Sequence, residues 1–178
     1  MTQAPVVLVL ASGRGERFIA SGGSGSKLRA LLAGKPVIDH TLDAVRASCL
    51  PWHLEDAGHA GMGDSIAAAV AATRDAPGWL VLPADLPLIR PSSLRAVADA
   101  LQQYAIVLPF HRGQRAHPVG FAARFRDELL ALCGAEGAAA IVRANAPCRL
   151  DIDDPGIVAD IDTLQDLQRA EATLRSAG

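Results

Sequence analysis

Val6 to Leu10 is an unbroken apolar run that stops at a serine and glycine cluster, the pattern of a strand buried on both faces of a parallel sheet. Behind Pro36, the residues Val37, Ile38, Thr41, Leu42 and Val45 recur at helical spacing and predict a helix reaching about Ser48. Trp52 to Leu54 predicts a short second strand. Asp56 to Gly63 reads as a loop, and the alanine-rich stretch from Ile66 to about Thr73 as a helix capped by Asp64 or Ser65. Trp79 to Leu82, set between Pro77-Gly78 and Pro83, predicts another buried strand. Leu94, Val97, Ala98 and Leu101 stripe a helix over Pro91 to Gln103, and Ala105 to Leu108 follows as a strand. This alternation predicts an α/β architecture with a mostly parallel sheet. Phe110 to Pro118 interrupts it as a polar, basic loop, and Val119 to Phe121 returns as a strand. Helices over Arg124–Leu132 and Gly137–Ala144, strands near Arg149–Ile152 and Ile157–Ala159, and a helix over Thr163–Leu174 complete the reading. Trp52 and Trp79 are expected in the core.

Composition narrows the class. At about 150 residues per domain, 178 residues predict one domain over 1–178, and 50% hydrophobic with 20% charged residues is a globular composition. Seventeen Lys and Arg against nineteen Asp and Glu leave a formal charge of -2, so no basic field favours nucleic acid. Cys49, Cys133 and Cys148 are odd in number and widely spaced, which suggests neither a disulfide framework nor a zinc site and fits a reducing cytoplasm. The first apolar run lacks a basic leader and falls well short of the roughly 18 residues of a membrane span. Neither a signal peptide nor a membrane partner is expected.

Charge is unevenly spread. Arg14 to Arg46 carries a balance of +3, while the stretch after Leu150 carries -5. A basic loop and an acidic one could meet at a polyphosphate and its metal ion, because phosphate needs cations and a hard metal needs oxygen ligands. Solvated surface is the alternative for most of these charges.

Residues 12 to 27 hold five glycines and four serines without a sustained apolar period, and read as a long loop. Ser12-Gly13-Arg14-Gly15-Glu16-Arg17 follows the first strand, where ligands of open α/β sheets sit, and its backbone N–H groups can form a phosphate nest or simply a turn. It is neither G-x-G-x-x-G nor a P-loop, since Phe18 occupies the last fingerprint position and no G-K-[ST] follows. Asp85 ends an apolar strand, where a carboxylate is costly unless paired or metal-bound. A Mg²⁺ ligand, a helix cap and a salt-bridge partner are all open to it. Asp160 and Asp162 share a side of the chain if it is extended. Thr163 starts the last helix, with Asp166 bonding to its early N–H groups.

The stretch LASGRGERF with the downstream Lys27 resembles the L-A-x-G-x-x-x-R signature of the molybdenum cofactor nucleotidyltransferases, the MobA-like and MocA-like enzymes. GKPVIDHTLDAV, GMGDSI, LPADLPLI, HPVGF, GAEGAA and DIDTLQDL resemble further family blocks in the same order, from Val6 to about Leu167. The resemblance implies a three-layer Rossmann-like nucleotidyltransferase fold with a mostly parallel central sheet. It also implies transfer of a nucleoside monophosphate from a nucleoside triphosphate to the phosphate of molybdopterin, with Mg²⁺ as cofactor and pyrophosphate released. Arg17, Lys27 and Asp85 match catalytic positions, and Asp85 and Asp162 match metal ligands. Leu10, Ala11, Ser12, Gly13, Arg14, Gly15, Arg17, Lys27, Gly61 and Ser65 match the nucleotide site, with Gly61 and Ser65 near the base. The alternative for Ser65 is a helix N-cap, and one hydroxyl could serve both purposes. His117 matches the acceptor region and is equally open to being a loop histidine without catalytic duty.

GMGDSI and HPVGF are closer to the MocA-like branch, so CTP is favoured over GTP. Nine residues separate Arg17 from Lys27, more than in many relatives. Ala135 stands where the family has aspartate and Ala116 where glycine precedes the histidine, which leaves the acceptor open. The alternatives are a guanylyltransferase, a transferase for another phosphorylated small molecule, and a cofactor-binding accessory protein. A molybdoenzyme or its chaperone is the expected downstream partner.

Overall fold

The computed structural model describes residues 3–13 and 15–176. In chain order the elements are β1 (Val6–Leu10), α1 (Glu16–Ala20), β2 (Leu31–Leu32), β3 (Lys35–Pro36), α2 (Val37–Ala47), β4 (Trp52–Glu55), α3 (Met62–Ala72), β5 (Gly78–Pro83) and α4 (Pro91–Ala100). There follow β6 (Ile106–His111), β7 (Gln114–Arg115), β8 (Val119–Ala122), α5 (Arg126–Leu130), α6 (Ala139–Ala144), β9 (Cys148–Asp151) and α7 (Leu164–Ser176). The main sheet runs β4-β1-β5-β8-β6-β7, with β9 on the other edge of β6. β1 pairs in parallel with β4 and β5, and β6 with β9, whereas β8 is antiparallel to both β5 and β6. Five strands therefore point one way and their carboxyl ends share one rim.

Strand alternation divides the core between two faces. Val7, Val9, Leu80 and Leu82 pack with residues of α2, α4 and α7 on one face. Leu8, Leu10, Trp79 and Val81 pack with residues of α3, α5 and α6 on the other. This is the α/β arrangement that the apolar runs predict, in the three layers that the family resemblance implies. Trp79 is fully buried, and its indole N–H donates to Thr73 Oγ1 at 3.0 Å, so its one polar atom is satisfied.

Several expectations are corrected. The stretch 12–27 contains α1, whose Phe18 is buried. One buried side chain gives no period to read, and tertiary packing stabilises the short helix. Residues 110–118 form the β6–β7 hairpin around Arg112 and Gly113, both at positive φ, rather than an open loop. Ile157–Ala159 is not a strand: Pro155–Val158 is a 3₁₀ turn capped by Asp154. α3 begins at Met62, so Asp64 and Ser65 lie in its first turn and Gly61 takes the cap position. The helix from Pro91 ends at Ala100, α5 is preceded by a 3₁₀ turn over Ala123–Phe125, and α6 starts at Ala139. Trp52 lies on edge strand β4, 39% exposed beneath Arg46, rather than in the core. Among the described residues no helix is long and apolar enough to cross a membrane.

Asp154 joins the layers near the site. It is 2% exposed. Its Oδ2 accepts from Ser93 Oγ at 2.6 Å and from the Arg90 N–H at 2.9 Å, and its Oδ1 accepts from the Gly156 N–H at 2.9 Å. One carboxylate thus ties the start of α4 to the turn leading toward α7. Asp154→Ala should lower unfolding free energy by about 2–4 kcal/mol, since it strands three buried donors. Asp154→Asn should lose less. Urea denaturation of both variants checks this, and a loss under about 1 kcal/mol for the alanine variant would contradict it.

Candidate active site

A cleft of about 560 Å³ opens at the carboxyl ends of β1 and β5, the rim where open α/β sheets bind ligands. Three backbone segments build it. The Ala84 N–H donates to the Leu10 carbonyl at 3.0 Å, fixing the turn after β5 against the end of β1. Thr41 of α2 donates its hydroxyl to the Ala84 carbonyl at 2.8 Å from beneath. The Ile161 N–H donates to the Asp85 carbonyl at 3.0 Å. That last bond brings the acidic stretch before α7 alongside the turn after β5, although 76 positions separate Asp85 from Ile161.

Lys27 lies between these segments. Its ammonium donates to Asp85 Oδ2 at 2.6 Å and to Asp162 Oδ1 at 2.8 Å, and the residue is only 9% exposed. Arg17 Nη1 sits 2.8 Å from the other Asp162 oxygen, with its own side chain largely in solvent. Burial works to lower the Lys27 pKa, but the charges and hydrogen bonds of Asp85 and Asp162 outweigh it and hold it above the ordinary lysine value. Burial likewise works to raise Asp162, yet Lys27 and then Arg17 hold it below the usual carboxylate range. Asp160 is pushed up, first by partial desolvation and then by the charges of Asp162 and Asp85. Lys27 and Arg17 therefore offset Asp85 and Asp162, with Asp160 beside them as a third carboxyl group. Removing Lys27 or either carboxylate leaves a largely buried charge uncompensated.

The first loop meets α3 at one hydrogen bond, between the hydroxyls of Ser12 and Ser65. Ser65 is fully buried and also donates to the Gly61 carbonyl at 3.1 Å. Gly61 must be glycine because a Cβ there would lie 2.3 Å from the Gly134 carbonyl oxygen. Gly15 holds φ at 65°, in the left-handed region, where the chain turns into α1. Leu10, Ser12, Gly13, Gly15, Arg17, Lys27, Asp85, His117 and Asp162 line the cleft. Ala11 lies behind it, its N–H donating to the Glu55 carbonyl at 2.9 Å, and Gly61 and Ser65 support it from behind Ser12. Arg14 lies outside the described residues.

His117 lines the cleft with its Nδ1 buried and unpartnered. Burial lowers its pKa more than the charge of Asp85 raises it, so the ring is neutral near pH 7. It offers hydrogen bonding rather than positive charge. The cation on that side is Arg115, at the end of the β6–β7 hairpin. Sequence reasoning missed it because it read the hairpin as loop. It did find Asp166, whose Oδ2 accepts from the Thr163 N–H at 2.8 Å while the Asp166 N–H returns to Thr163 Oγ1 at 3.2 Å. This reciprocal pair caps α7 and directs Asp162 into the cleft.

Asp85 and Asp162 present an oxygen-only donor set, and Asp85 Oδ1 is buried without a partner. That chemistry fits a hard divalent cation, which binds through one or two carboxylates and completes its shell with water and phosphate. Among the described residues no three His, Cys, Asp or Glu side chains converge into a metal cage.

Residues 48–149 match the MobA-like NTP transferase domain. No curated protein matches the chain. In fold it resembles the manganese complex of Rv0371c from Mycobacterium tuberculosis H37Rv, at 22% identity and a TM-score of 0.74 over 96% of this chain and 100% of that one. It also resembles a nucleotidyl transferase from Methanothermobacter thermautotroptrophicus, at 16% identity and a TM-score of 0.79 over 99% and 100% of the two chains. Molybdopterin-guanine dinucleotide biosynthesis protein A from Archaeoglobus fulgidus superposes with a TM-score of 0.62 at 18% identity, over 96% and 99%. At these identities the likeness is one of fold. The domain match covers more than half of the 178 residues, and with the mostly parallel sheet and the cleft on its carboxyl rim it assigns this chain to the MobA-like NTP transferase family.

Proposed function

We propose that this chain transfers a nucleoside monophosphate, with CTP as the donor, to the phosphate of molybdopterin, releasing pyrophosphate with Mg²⁺ as cofactor. The observation that carries the reading is the meeting of Asp85 and Asp162 with Lys27 and Arg17 in one cleft. An acceptor phosphate oxygen forms a bond to the α-phosphorus as the bond to the bridging oxygen of the leaving pyrophosphate breaks. A phosphate dianion needs no deprotonation and the protein supplies no nucleophile, so the work is in-line positioning and charge stabilisation. The N–H groups around Gly13 and Gly15 cradle the phosphates. Arg17, largely exposed, and Lys27, at the cleft floor, neutralise the triphosphate and the departing pyrophosphate. Gly61 and Ser65 shape the base side through Ser12, and neutral His117 hydrogen-bonds the acceptor. Bound on the oxygens of Asp85 and Asp162, Mg²⁺ would supply charge neutralisation at the transferred phosphate. The free thiols of all three cysteines fit a cytoplasmic setting.

One observation favours a second acceptor class. A slot of about 170 Å³, lined by Ile66, Val81, Val119, Phe121 and Val142, shares Met62, Pro83, Arg115 and His117 with the cleft. A phosphorylated molecule with a compact apolar body fits this lining, which carries one carboxylate, Glu136.

With molybdopterin, Mg²⁺ and each nucleoside triphosphate in turn, pyrophosphate release should be fastest with CTP. A strong preference for GTP would instead make the protein a guanylyltransferase. Release only with other phosphorylated acceptors would select the second class. Asp85→Ala and Asp162→Ala should each lower kcat/KM by about 10³-fold, about 4 kcal/mol of transition-state stabilisation. Unchanged turnover in Asp85→Ala would overturn the metal-ligand role of Asp85, whereas binding of the cofactor with no pyrophosphate release from any nucleoside triphosphate would point to an accessory binding protein.

A further inference from the structure

We propose that Lys27 is the resident cation of this site: in the free protein its ammonium occupies the place between Asp85 and Asp162 that a divalent cation takes in the reactive complex, so metal and nucleoside triphosphate enter together. The inference rests on the nucleotidyl-transfer reading and adds a rule for how the site fills.

Three observations carry it. Nζ sits 2.6 Å from Asp85 and 2.8 Å from Asp162, at the point where the two carboxylates converge. An ammonium and a divalent cation cannot share that point, since like charges so close repel strongly where water is scarce. Second, the occupant is incomplete. Asp85 Oδ1 remains buried without a partner, as expected where an ion with three donors holds a place suited to one with six ligands. Third, the lysine has somewhere to go. The phosphate loop lies along its alkyl stem: a Cβ on Gly13 would be 3.9 Å from Lys27 Cε, and one on Gly15 would be 3.7 Å from Lys27 Cγ. A swing about the terminal side-chain bonds would carry the ammonium from the carboxylates toward phosphates cradled above it. Arg17 has the same choice, between Asp162 Oδ2 and the triphosphate.

Without nucleotide, a metal ion must displace Lys27 while the lysine has no other anion to join. With a triphosphate present, the two cations transfer to it and leave the carboxylates free. Metal and nucleotide affinities are then positively coupled, by the same factor in both directions.

The test is Mn²⁺ binding, followed by electron paramagnetic resonance of the free ion, with and without the α,β-methylene analogue of CTP. Wild-type protein should bind Mn²⁺ weakly alone and about tenfold or more tightly with the analogue. Lys27→Met should bind Mn²⁺ alone about tenfold more tightly than wild type, with the coupling largely abolished. Adding Asp85→Asn to Lys27→Met should remove the gain. Mn²⁺ alone should also raise the Tm of Lys27→Met more than that of wild type. Should Lys27→Met fail to fold, the wild-type coupling decides: equal Mn²⁺ affinity with and without the analogue overturns the proposal. It is equally overturned if folded Lys27→Met binds Mn²⁺ no more tightly than wild type, and strong wild-type coupling would then leave the nucleotidyl-transfer reading standing. If Lys27→Met gains Mn²⁺ affinity while wild type binds neither the analogue nor Mn²⁺ in its presence, joint entry is overturned together with the transfer reading, and only the seat of Lys27 at the metal place stands.

Discussion

The ammonium of Lys27 is the charge around which the cleft is arranged. Two carboxylates from distant parts of the chain are brought within hydrogen-bonding reach of one nitrogen. Carboxylates this close repel, and partial burial strengthens the repulsion. Without a cation between them, the tether from Ile161 to the Asp85 carbonyl would hold together segments whose side chains push apart. With Lys27 and Arg17 present, the charges of Asp85 and Asp162 are offset where the two carboxylates converge. The arrangement of the cleft thus depends on the same two side chains that the proposed reaction assigns to the triphosphate.

The topology explains why the charges meet there. Five strands end on one rim, and β8 enters antiparallel between β5 and β6. Because β8 begins at that rim, the segment leading into it, with Arg115, Ala116 and His117, lies over the carboxyl end of β5. The 3₁₀ turn anchored by Asp154 brings the other wall, and the Ile157 carbonyl accepts from the His117 N–H at 3.3 Å. Groups at the ends of β1 and β5 and groups on the segment before β8 consequently line one cleft.

Much of this was legible in the sequence. The runs Val6–Leu10 and Trp79–Leu82 are strands because continuous apolar runs of that length suit only a sheet covered on both faces. The ordered motifs named the family and marked Arg17, Lys27, Asp85 and Asp162. What escaped reading depends on tertiary contact. α1 has one buried residue and no period, and the hairpin after β6 turns at Arg112-Gly113 rather than at a familiar asparagine–glycine pair. Ile157 to Ala159 has the apolar character of a strand, but Pro155 and the Asp154 bonds close it into a turn. Trp52 is large and apolar, yet an edge strand leaves one of its faces in solvent. No spacing rule predicts that Ile161 will bond to Asp85.

Asp154 and Asp162 show why burial alone does not reveal a site. Both belong to the same acidic stretch, and nothing in composition separates them. Asp154 is the more buried, and backbone and hydroxyl donors bond its oxygens at 2.6–2.9 Å, with the Arg90 guanidinium farther off at 3.7 Å. Those partners cannot leave without unfolding the turn, so its charge serves the fold. Asp162 and Asp85 are held instead by two long, flexible cations, and Asp85 keeps one oxygen with no partner. Side chains of that kind can exchange a carboxylate for a phosphate with little movement of the backbone. A carboxylate fixed by the main chain is structural, whereas one balanced by a mobile cation can be released, and that second arrangement gives the cleft its chemistry.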